Sequence, residues 1–265
     1  MIADKDLPIG VFDSGAGGVS VLSEMIRRLP FEKFIYYGDS AHAPYGTKEP
    51  AEVKKLAIDA ADFLYRKKIK AMVVACNTAT SVAIDDIRRA FPIPVVGMEP
   101  AVKPAVELGK HGKILVMATP ITLQMEKFHH LVERFHDREE IIPLPCPGLV
   151  ELIEEGELEG ARIRHYLDNL FAAVDMDQVY AVVLGCTHYP FIRKAIAQKL
   201  GNGIEIIDGN SGTVRQLERV LQANGLAAEY NPGEVWPYPL VRFFSSGPPK
   251  NISMYRKLLE INLAA

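Results

Sequence analysis

Residues 72–78 have the sequence MVVACNT, and residues 182–188 have the sequence VVLGCTH. In each stretch three apolar residues and one small residue precede a cysteine, and polar residues follow it. Short apolar runs that end where a helical pattern begins are typical of buried strands. The match places Cys76 and Cys186 at corresponding positions and predicts a duplicated strand–helix unit.

Other apolar runs of the same kind extend this pattern along the whole chain. They predict strands at Ile9–Phe12, Phe34–Tyr37, Ala71–Ala75, Pro94–Gly97, Ile114–Met117, Ile141–Leu144, Tyr180–Leu184, Ile204–Ile207 and Leu240–Phe244. Helical periodicity predicts helices at Ala51–Lys67, Thr78–Phe91, Thr122–Phe135, Gly160–Val174, Phe191–Leu200, Gly212–Ala223 and Ile252–Ile261. Strands that alternate with helices indicate an α/β fold of the doubly wound kind, with mostly parallel sheets flanked by helices.

The two halves of this pattern meet near Met98–Pro104. Asp13-Ser14 follows the first strand of one half, and Ala118-Thr119 follows the first strand of the other. The segment after about Asp208 returns to the first half or extends the second, and the patterns leave both possibilities open. A ligand of such a fold binds beyond the carboxyl ends of the strands.

The composition excludes several classes of protein. The 265 residues are 48% hydrophobic and 24% charged, which suits a globular protein of one large or two small domains. The formal net charge of −3 gives no basic field, so we expect no nucleic-acid partner. The sequence has no run of 18 apolar residues and no apolar leader, so we expect a cytoplasmic protein without a membrane partner.

The three cysteines are too few for a disulfide framework, and no CxxC pair occurs. No cysteine and histidine stand at zinc-ligand spacing, so we expect no metal site. Cys146, in the stretch Leu144-Pro-Cys-Pro-Gly148, has no counterpart in the other half and is interpreted as structural. Any single thiol is more often a buried apolar group than a reactive one, but a matched pair favours function.

Two turns after strands carry further candidate groups. The first is Asp13-Ser-Gly-Ala-Gly-Gly18, whose glycines allow backbone amides to face an anion. Ser20 stands where the dinucleotide-binding fingerprint requires glycine, so that fingerprint fails. The second turn follows Tyr37, and its residue Ser40 and the amides near Tyr45-Gly46 are candidates to hold a carboxylate.

The cysteine turns suggest proton transfer. The start of a helix favours a thiolate, Thr78 and Thr187 are candidate capping or hydrogen-bonding groups, and His188 is a candidate to assist or tune Cys186. Inversion of an amino-acid α-carbon removes a proton on one face and returns one on the other. A thiolate base and a thiol acid that face one cleft can do this without a cofactor.

Five motifs carry a family resemblance. They are IGVFDSGAGG from residue 9, YGDS from residue 37, PYG from residue 44, ACNTA from residue 75 and LGCTHYP from residue 184. In order and spacing they resemble the motifs of glutamate racemases, over residues 9 to about 215, and Asp208-Gly-Asn-Ser211 also resembles a family segment. The resemblance implies two pseudo-symmetric α/β domains, residues 1–98 with 208–265 and residues 99–207, with the active site in the cleft between them. It also implies interconversion of L- and D-glutamate without cofactor or metal, as a source of D-glutamate for peptidoglycan and the cell wall, by a protein that is commonly a homodimer.

The resemblance also implies roles for individual residues. Cys76 and Cys186 would be the acid/base pair, Asp13 would support Cys76, and His188 would support Cys186. The implied substrate-binding residues are Asp13, Ser14, Pro44, Tyr45, Gly46, Cys76, Asn77, Thr78, Thr119, Thr122, Cys186, Thr187 and His188.

Two stretches depart from the family pattern. Glu154 aligns with an acidic position of the family and is given a supporting catalytic role, while Glu151 stands where the family has proline. After Thr119, the stretch Thr122-Leu-Gln-Met125 and Phe128 replace the usual residues. The second half is therefore expected to contact the substrate in its own way.

Three alternatives remain at this point. The first is a racemase for aspartate or another small amino acid, because pocket length rather than sequence separates these substrates. The second is a cysteine hydrolase that uses Cys186 with His188, although a histidine two residues away is expected to be poorly aimed at that thiol, and Cys76 would have no role. The third is a binding protein without catalysis, which two preserved thiols argue against.

Overall fold

The computed structural model describes residues 4–135, 139–229 and 241–264. Within these ranges nine strands form two sheets, and all the strand pairs are parallel. The strands are β1 Ile9–Asp13, β2 Phe34–Gly38, β3 Ala71–Val74, β4 Val95–Gly97, β5 Lys113–Ala118, β6 Glu140–Pro145, β7 Val179–Leu184, β8 Glu205–Asp208 and β9 Val241–Ser245. The helices are α1 Val19–Arg28, α2 Pro50–Arg66, α3 Asn77–Ala90, α4 Val102–Val106, α5 Pro120–Gln124, α6 Glu126–Glu133, α7 Leu149–Glu154, α8 Ala161–Ala172, α9 Arg193–Leu200, α10 Asn210–Ala223 and α11 Lys250–Ala264.

The first sheet has the strand order β4-β3-β1-β2-β9, and the second has the order β6-β5-β7-β8. Strand β9 pairs with β2, and helices α10 and α11 both pack on α1. The chain after Asp208 therefore packs with the first sheet, which is the first of the two continuations that the sequence patterns left open. Leu240, at the start of the predicted last strand, lies outside the described residues.

The centre of each sheet is buried on both faces. All residues of β1, β3 and β7 are buried, because helices cover both sides of a doubly wound sheet. Along β1, Ile9 and Val11 join the apolar core on one face, and Phe12 joins the core on the other. Full burial of such a side chain stabilises the fold by roughly 1.5–3 kcal/mol. The expected α/β class with two mostly parallel sheets is thus confirmed.

Three helices differ from the sequence prediction. The predicted helix Thr122–Phe135 is two helices, α5 and α6, because Met125 between them has extended backbone, with φ −76° and ψ 143°. Helix α5 starts earlier than predicted, since Thr119 caps it and Pro120 suits its first position. The predicted helix Phe191–Leu200 opens as a 3-10 turn at Tyr189–Ile192 before α9 begins.

Helices α1, α4 and α7 were not among the predicted helices. The last two span five and six residues, which is too short to show a helical period in sequence. In the described ranges, no helix combines the length and the apolar character needed to cross a bilayer.

Candidate active site

Residues that follow the carboxyl ends of strands from both sheets line one narrow cleft. Twelve of the described residues line it: Ser14, Pro44, Tyr45, Gly46, Cys76, Asn77, Thr78, Thr119, Val150, Cys186, Thr187 and His188. All of them except Val150, an apolar residue on α7 with no chemical signature, are candidates from the sequence. The structure thus brings the two matched cysteine turns together, as the duplicated pattern suggested.

The Cys76 turn places a thiol at the start of a long helix. Cys76 follows β3 by two residues and is the N-cap of α3, where its Sγ accepts a hydrogen bond from the Ala79 amide at 3.4 Å. The thiol also donates to Ser14 Oγ at 3.4 Å. Burial raises the pKa of Cys76 to about 12, and the nearby Asp13 carboxylate adds to this rise. Cys76 is therefore a thiol at neutral pH.

The Cys186 turn surrounds its thiol differently. Cys186 also follows its strand by two residues, but His188 lies beside it, with Nδ1 at 3.7 Å from Sγ. The ring of His188 contacts Glu154 through Nε2, at 2.7 Å from Oε1. Burial alone would lower the pKa of His188, but Cys186 and Glu154 outweigh it and raise this pKa well above its ordinary value. The charged imidazolium ring therefore lies within hydrogen-bond distance of the Cys186 sulfur.

This geometry corrects one expectation. The two-residue spacing predicts that His188 is poorly aimed at Cys186. The backbone at His188 is helical, with φ −77° and ψ −32°, and this turn brings the ring back over the thiol. Glu154 holds the far side of the ring, so its expected supporting position next to the site is found in the structure.

Asp13, at the end of β1, is fully buried. Its Oδ1 accepts from the Gly15 amide at 2.9 Å, and its Oδ2 accepts from Thr187 Oγ1 at 3.0 Å. Burial raises the pKa of Asp13, although His188 and these two hydrogen bonds oppose the rise. The carboxylate touches the Cys186 turn through Thr187 and acts on Cys76 through its charge.

The glycines of the Asp13 turn permit close contact between the halves. A Cβ at Gly15 would lie 2.1 Å from Glu154 Oε1, and a Cβ at Gly17 would lie 2.4 Å from both His188 Nδ1 and Thr187 Oγ1. Any side chain would therefore push the Cys186 turn away. These glycines allow the close approach of the two halves, and the Gly15 and Ala16 amides of the same turn donate to carboxylates, those of Asp13 and Glu154.

Three hydroxyl groups close the other rim of the cleft. Thr78 from α3 lies 3.0 Å from Thr119 Oγ1 and 3.1 Å from Thr122 Oγ1, and the last two are 2.8 Å apart. Thr78 and Thr119 line the cleft, whereas Thr122 is fully buried behind them. Gly46 packs against Thr119, where a Cβ would come within 2.6 Å of the threonine Cβ.

Three further polar residues, Asn77, Tyr45 and Ser40, differ in whether their side chains are free to bind a ligand. The side-chain Nδ2 and Oδ1 of Asn77 are buried and have no hydrogen-bond partner among the described residues, so both are free to bind a ligand at the cleft. Tyr45 is fixed by donating to Asp39 Oδ2 at 2.6 Å. Ser40 does not line the cleft but bonds Tyr255, with 2.6 Å between the hydroxyl oxygens, so it has a structural role.

Cys146 lies outside the cleft lining, in agreement with its interpretation as a structural residue. It is buried, and its thiol donates to the Leu144 carbonyl at 3.3 Å. Burial raises the pKa of Cys146 to about 12.

Comparison with known proteins agrees with this geometry. The model of the Asp/Glu/Hydantoin racemase family matches residues 9–217, which contain both cysteine turns. The chain belongs to this family. A glutamate racemase of Clostridium botulinum is 54% identical over 227 residues, which cover 86% of this chain and 88% of that protein. The family resemblance predicted from the motifs, and the class of amino-acid racemases, are thereby confirmed.

Solved racemase structures share the fold over nearly the whole chain. A glutamate racemase from Francisella tularensis, in complex with D-glutamate, has a TM-score of 0.82 and 31% identity, with 98% of this chain and 95% of that chain covered. An Escherichia coli glutamate racemase, in complex with L-glutamate and the activator UDP-MurNAc-Ala, has a TM-score of 0.81 and 28% identity, with 97% and 95% covered.

Proposed function

We propose that this racemase interconverts L- and D-glutamate with Cys76 and Cys186 as its two acid/base groups. The observation that carries the proposal is the presence of two buried thiols from corresponding turns in one cleft. Relatives that are named glutamate racemases, and related structures that hold D- or L-glutamate, support this substrate. A hydrolase that used only Cys186 would leave Cys76 without a role.

In the proposed reaction, the thiolate of one cysteine takes the α-proton of glutamate and becomes a thiol. The other cysteine, as a thiol, gives its proton to the opposite face of the same carbon and becomes a thiolate. The electron pair of the broken C–H bond rests on the substrate between these steps. Amide and hydroxyl dipoles of Asn77, Thr78 and Thr187 would hold the substrate and stabilise that charge.

The two thiols have different surroundings in the free protein. Cys76 is protonated because burial and Asp13 raise its pKa, and Cys186 lies beside the imidazolium of His188. In the proposed mechanism Cys76 is therefore the acid and Cys186 the base for one enantiomer of glutamate. After one turnover the charges are exchanged, and the protein is ready for the other enantiomer or for proton exchange with water.

Substrate choice is tested by proton NMR in D₂O with purified, reduced protein. We expect loss of the α-proton signal and decay of the circular dichroism for L-glutamate, and neither for L-aspartate. Exchange of the α-proton of aspartate alone would be consistent with the two-thiol mechanism but would show that the substrate is aspartate. No exchange on either amino acid, from folded protein, would refute the proposed function.

We extend the proposal to the domain division, with residues 1–98 and 208–265 in one unit and 99–207 in the other. Supply of D-glutamate to peptidoglycan, a cytoplasmic location and a homodimer belong to the same proposal. A bacterial strain that lacks its own glutamate racemase tests the supply, because this chain should restore growth without added D-glutamate. Analytical ultracentrifugation tests the dimer.

A further inference from the structure

One peptide group links the two halves of the molecule beside the cleft. It joins Gly15 to Ala16, and both of its polar atoms are used. Its carbonyl, on Gly15, accepts from the Tyr36 hydroxyl at 2.7 Å. Its amide, on Ala16, donates to Glu154 Oε1 at 2.6 Å, although these two residues lie in different halves.

These contacts are the first part of a continuous chain of hydrogen bonds. It runs from the Tyr36 hydroxyl through the peptide group to Glu154, then to His188 Nε2 at 2.7 Å, and from Nδ1 to Cys186 Sγ at 3.7 Å. Successive hydrogen bonds polarise one another when water is excluded. Each of these hydrogen bonds is buried or partly buried, so we expect the loss of the Tyr36 hydroxyl to weaken the hydrogen bonds that lead to Cys186.

We propose that Tyr36 is a positioning residue for proton transfer at Cys186, acting through the Gly15–Ala16 peptide group, Glu154 and His188. Its ring lies under the Asp13 turn, fully buried, and does not line the cleft. Burial raises the pKa of Tyr36 well above its ordinary value, so the hydroxyl stays a donor in the neutral range. This inference rests on the proposed two-thiol function.

The Gly15–Ala16 peptide group can contact Glu154 because residue 15 is glycine. A Cβ there would come within 2.1 Å of Glu154 Oε1 and would break the link. Glu154 therefore sits against first-half backbone while it holds the second-half histidine. The position of Glu154 against the first half therefore fixes the orientation of His188, since the same carboxylate oxygen makes both contacts.

The test compares Tyr36→Phe with Tyr255→Phe. Both variants remove one hydroxyl from the same buried aromatic pair, whose ring centroids are 5.2 Å apart. The Tyr255 hydroxyl lies 2.6 Å from Ser40 Oγ and 3.1 Å from Ser245 Oγ and donates to the Gly38 carbonyl at 3.4 Å, and none of these groups belongs to the hydrogen-bond chain. Loss of a buried hydrogen bond should lower Tm by about 2–4 °C in each variant.

The decisive measurement is the primary deuterium isotope effect on kcat/KM with α-deuterated L- and D-glutamate. We expect Tyr36→Phe to lower kcat/KM about fivefold for both enantiomers, because the equilibrium constant of a racemisation is one. The isotope effect should rise for the enantiomer that Cys186 deprotonates and fall for the other. A Cys186→Ser variant, measured the same way, shows which enantiomer that is.

Tyr255→Phe should leave both isotope effects at their wild-type values. Equal isotope effects in Tyr36→Phe and wild type, or the same shift in both tyrosine variants, would overturn the inference while the proposed function stands. Wild-type protein that exchanges no α-proton of glutamate would instead refute the proposed function. If Tyr36→Phe fails to fold, Gly15→Ala provides a second test, since it displaces Glu154 and should shift the isotope effects in the same direction.

Discussion

The turns that carry Cys76 and Cys186 have the same position in their two sheets but opposite surroundings. Each cysteine follows a buried parallel strand by two residues, with a small residue before it. Cys76 has a helix start, a serine hydroxyl and a nearby carboxylate, whereas Cys186 has a histidine that is held by Glu154. The two turns therefore share their backbone position but differ in the charged groups beside the thiol. The proposed two-thiol mechanism requires such a difference, because one thiol must be an acid when the other is a base.

The largest effect should come from removing either thiol. Cys76→Ala and Cys186→Ala should each lower kcat for racemisation of glutamate by about 10²–10⁴, the usual contribution of one general acid or base. Coupled circular dichroism assays measure the loss, and thermal unfolding checks the fold. Cys146→Ala is the matched control, since that thiol is also buried but lies outside the cleft, and it should keep most of the activity. Near-normal activity of Cys76→Ala or Cys186→Ala would contradict the proposal that both thiols transfer protons.

The next effect concerns the Asp13 carboxylate, which contacts the Cys186 turn through Thr187 and raises the pKa of Cys76. Asp13→Asn keeps one acceptor oxygen but cannot satisfy both Gly15 and Thr187 as before. Loss of a charge-assisted hydrogen bond of about 1.5–3 kcal/mol should lower kcat roughly 10–100-fold, with little change in KM. Steady-state kinetics measure this, with Asp168→Asn on the surface as the control. An equal loss of kcat in Asp168→Asn would show that Asp13 has no specific role in catalysis.

A smaller difference should appear in the chemical reactivity of the thiols. The two side chains are equally buried, with 5% of Cys76 and 7% of Cys186 exposed, so a difference in labelling rate reports charge. At pH 8, iodoacetamide should label Cys186 at least about ten times faster than Cys76, because the thiolate is the reactive form. Labelling of Cys76 should accelerate as the pH rises toward 12, since its pKa is raised to about 12. Peptide mass spectrometry follows both sites, and faster labelling of Cys76 at pH 8 would reverse the assignment of acid and base.

The smallest effect should come from the rim that is shared by both halves. Thr122→Val removes the rearmost of the three clustered hydroxyls, which does not line the cleft. We expect a loss of stability of about 1–3 kcal/mol in the free energy of unfolding, and a change in kcat/KM below about threefold. Chemical denaturation and steady-state kinetics measure the two values. A large change in kcat/KM would show that this rim positions the thiols as well.

Much of the fold could be predicted because its signals are local. Buried runs such as Ile9–Phe12 and the repeated cysteine turns mark strands and their carboxyl ends, and the fold brings those ends to one cleft. The pairing of β9 with β2 could not be predicted from sequence patterns, because the two strands are far apart in the chain. Helix α7 was missed because six residues show no periodicity.

The site could be predicted where residue chemistry marks it and not where packing does. Cys76, Cys186 and His188 have chemical identities that draw attention in any sequence. Val150 lines the cleft only because α7 places it there. The contact between the Gly15–Ala16 peptide group and Glu154 depends on backbone atoms, which every residue has, so no side-chain pattern reports it.

The central claim is that two different thiols serve the two faces of one carbon. It is tested most directly by the deuterium content of substrate and product early in the reaction, with L-glutamate and then D-glutamate in D₂O. We predict that the product acquires solvent deuterium at its α-carbon while the remaining substrate keeps its hydrogen, in both directions. Transfer of the original hydrogen to the product, or equal labelling of both pools from the first turnovers, would indicate a single base and contradict the account.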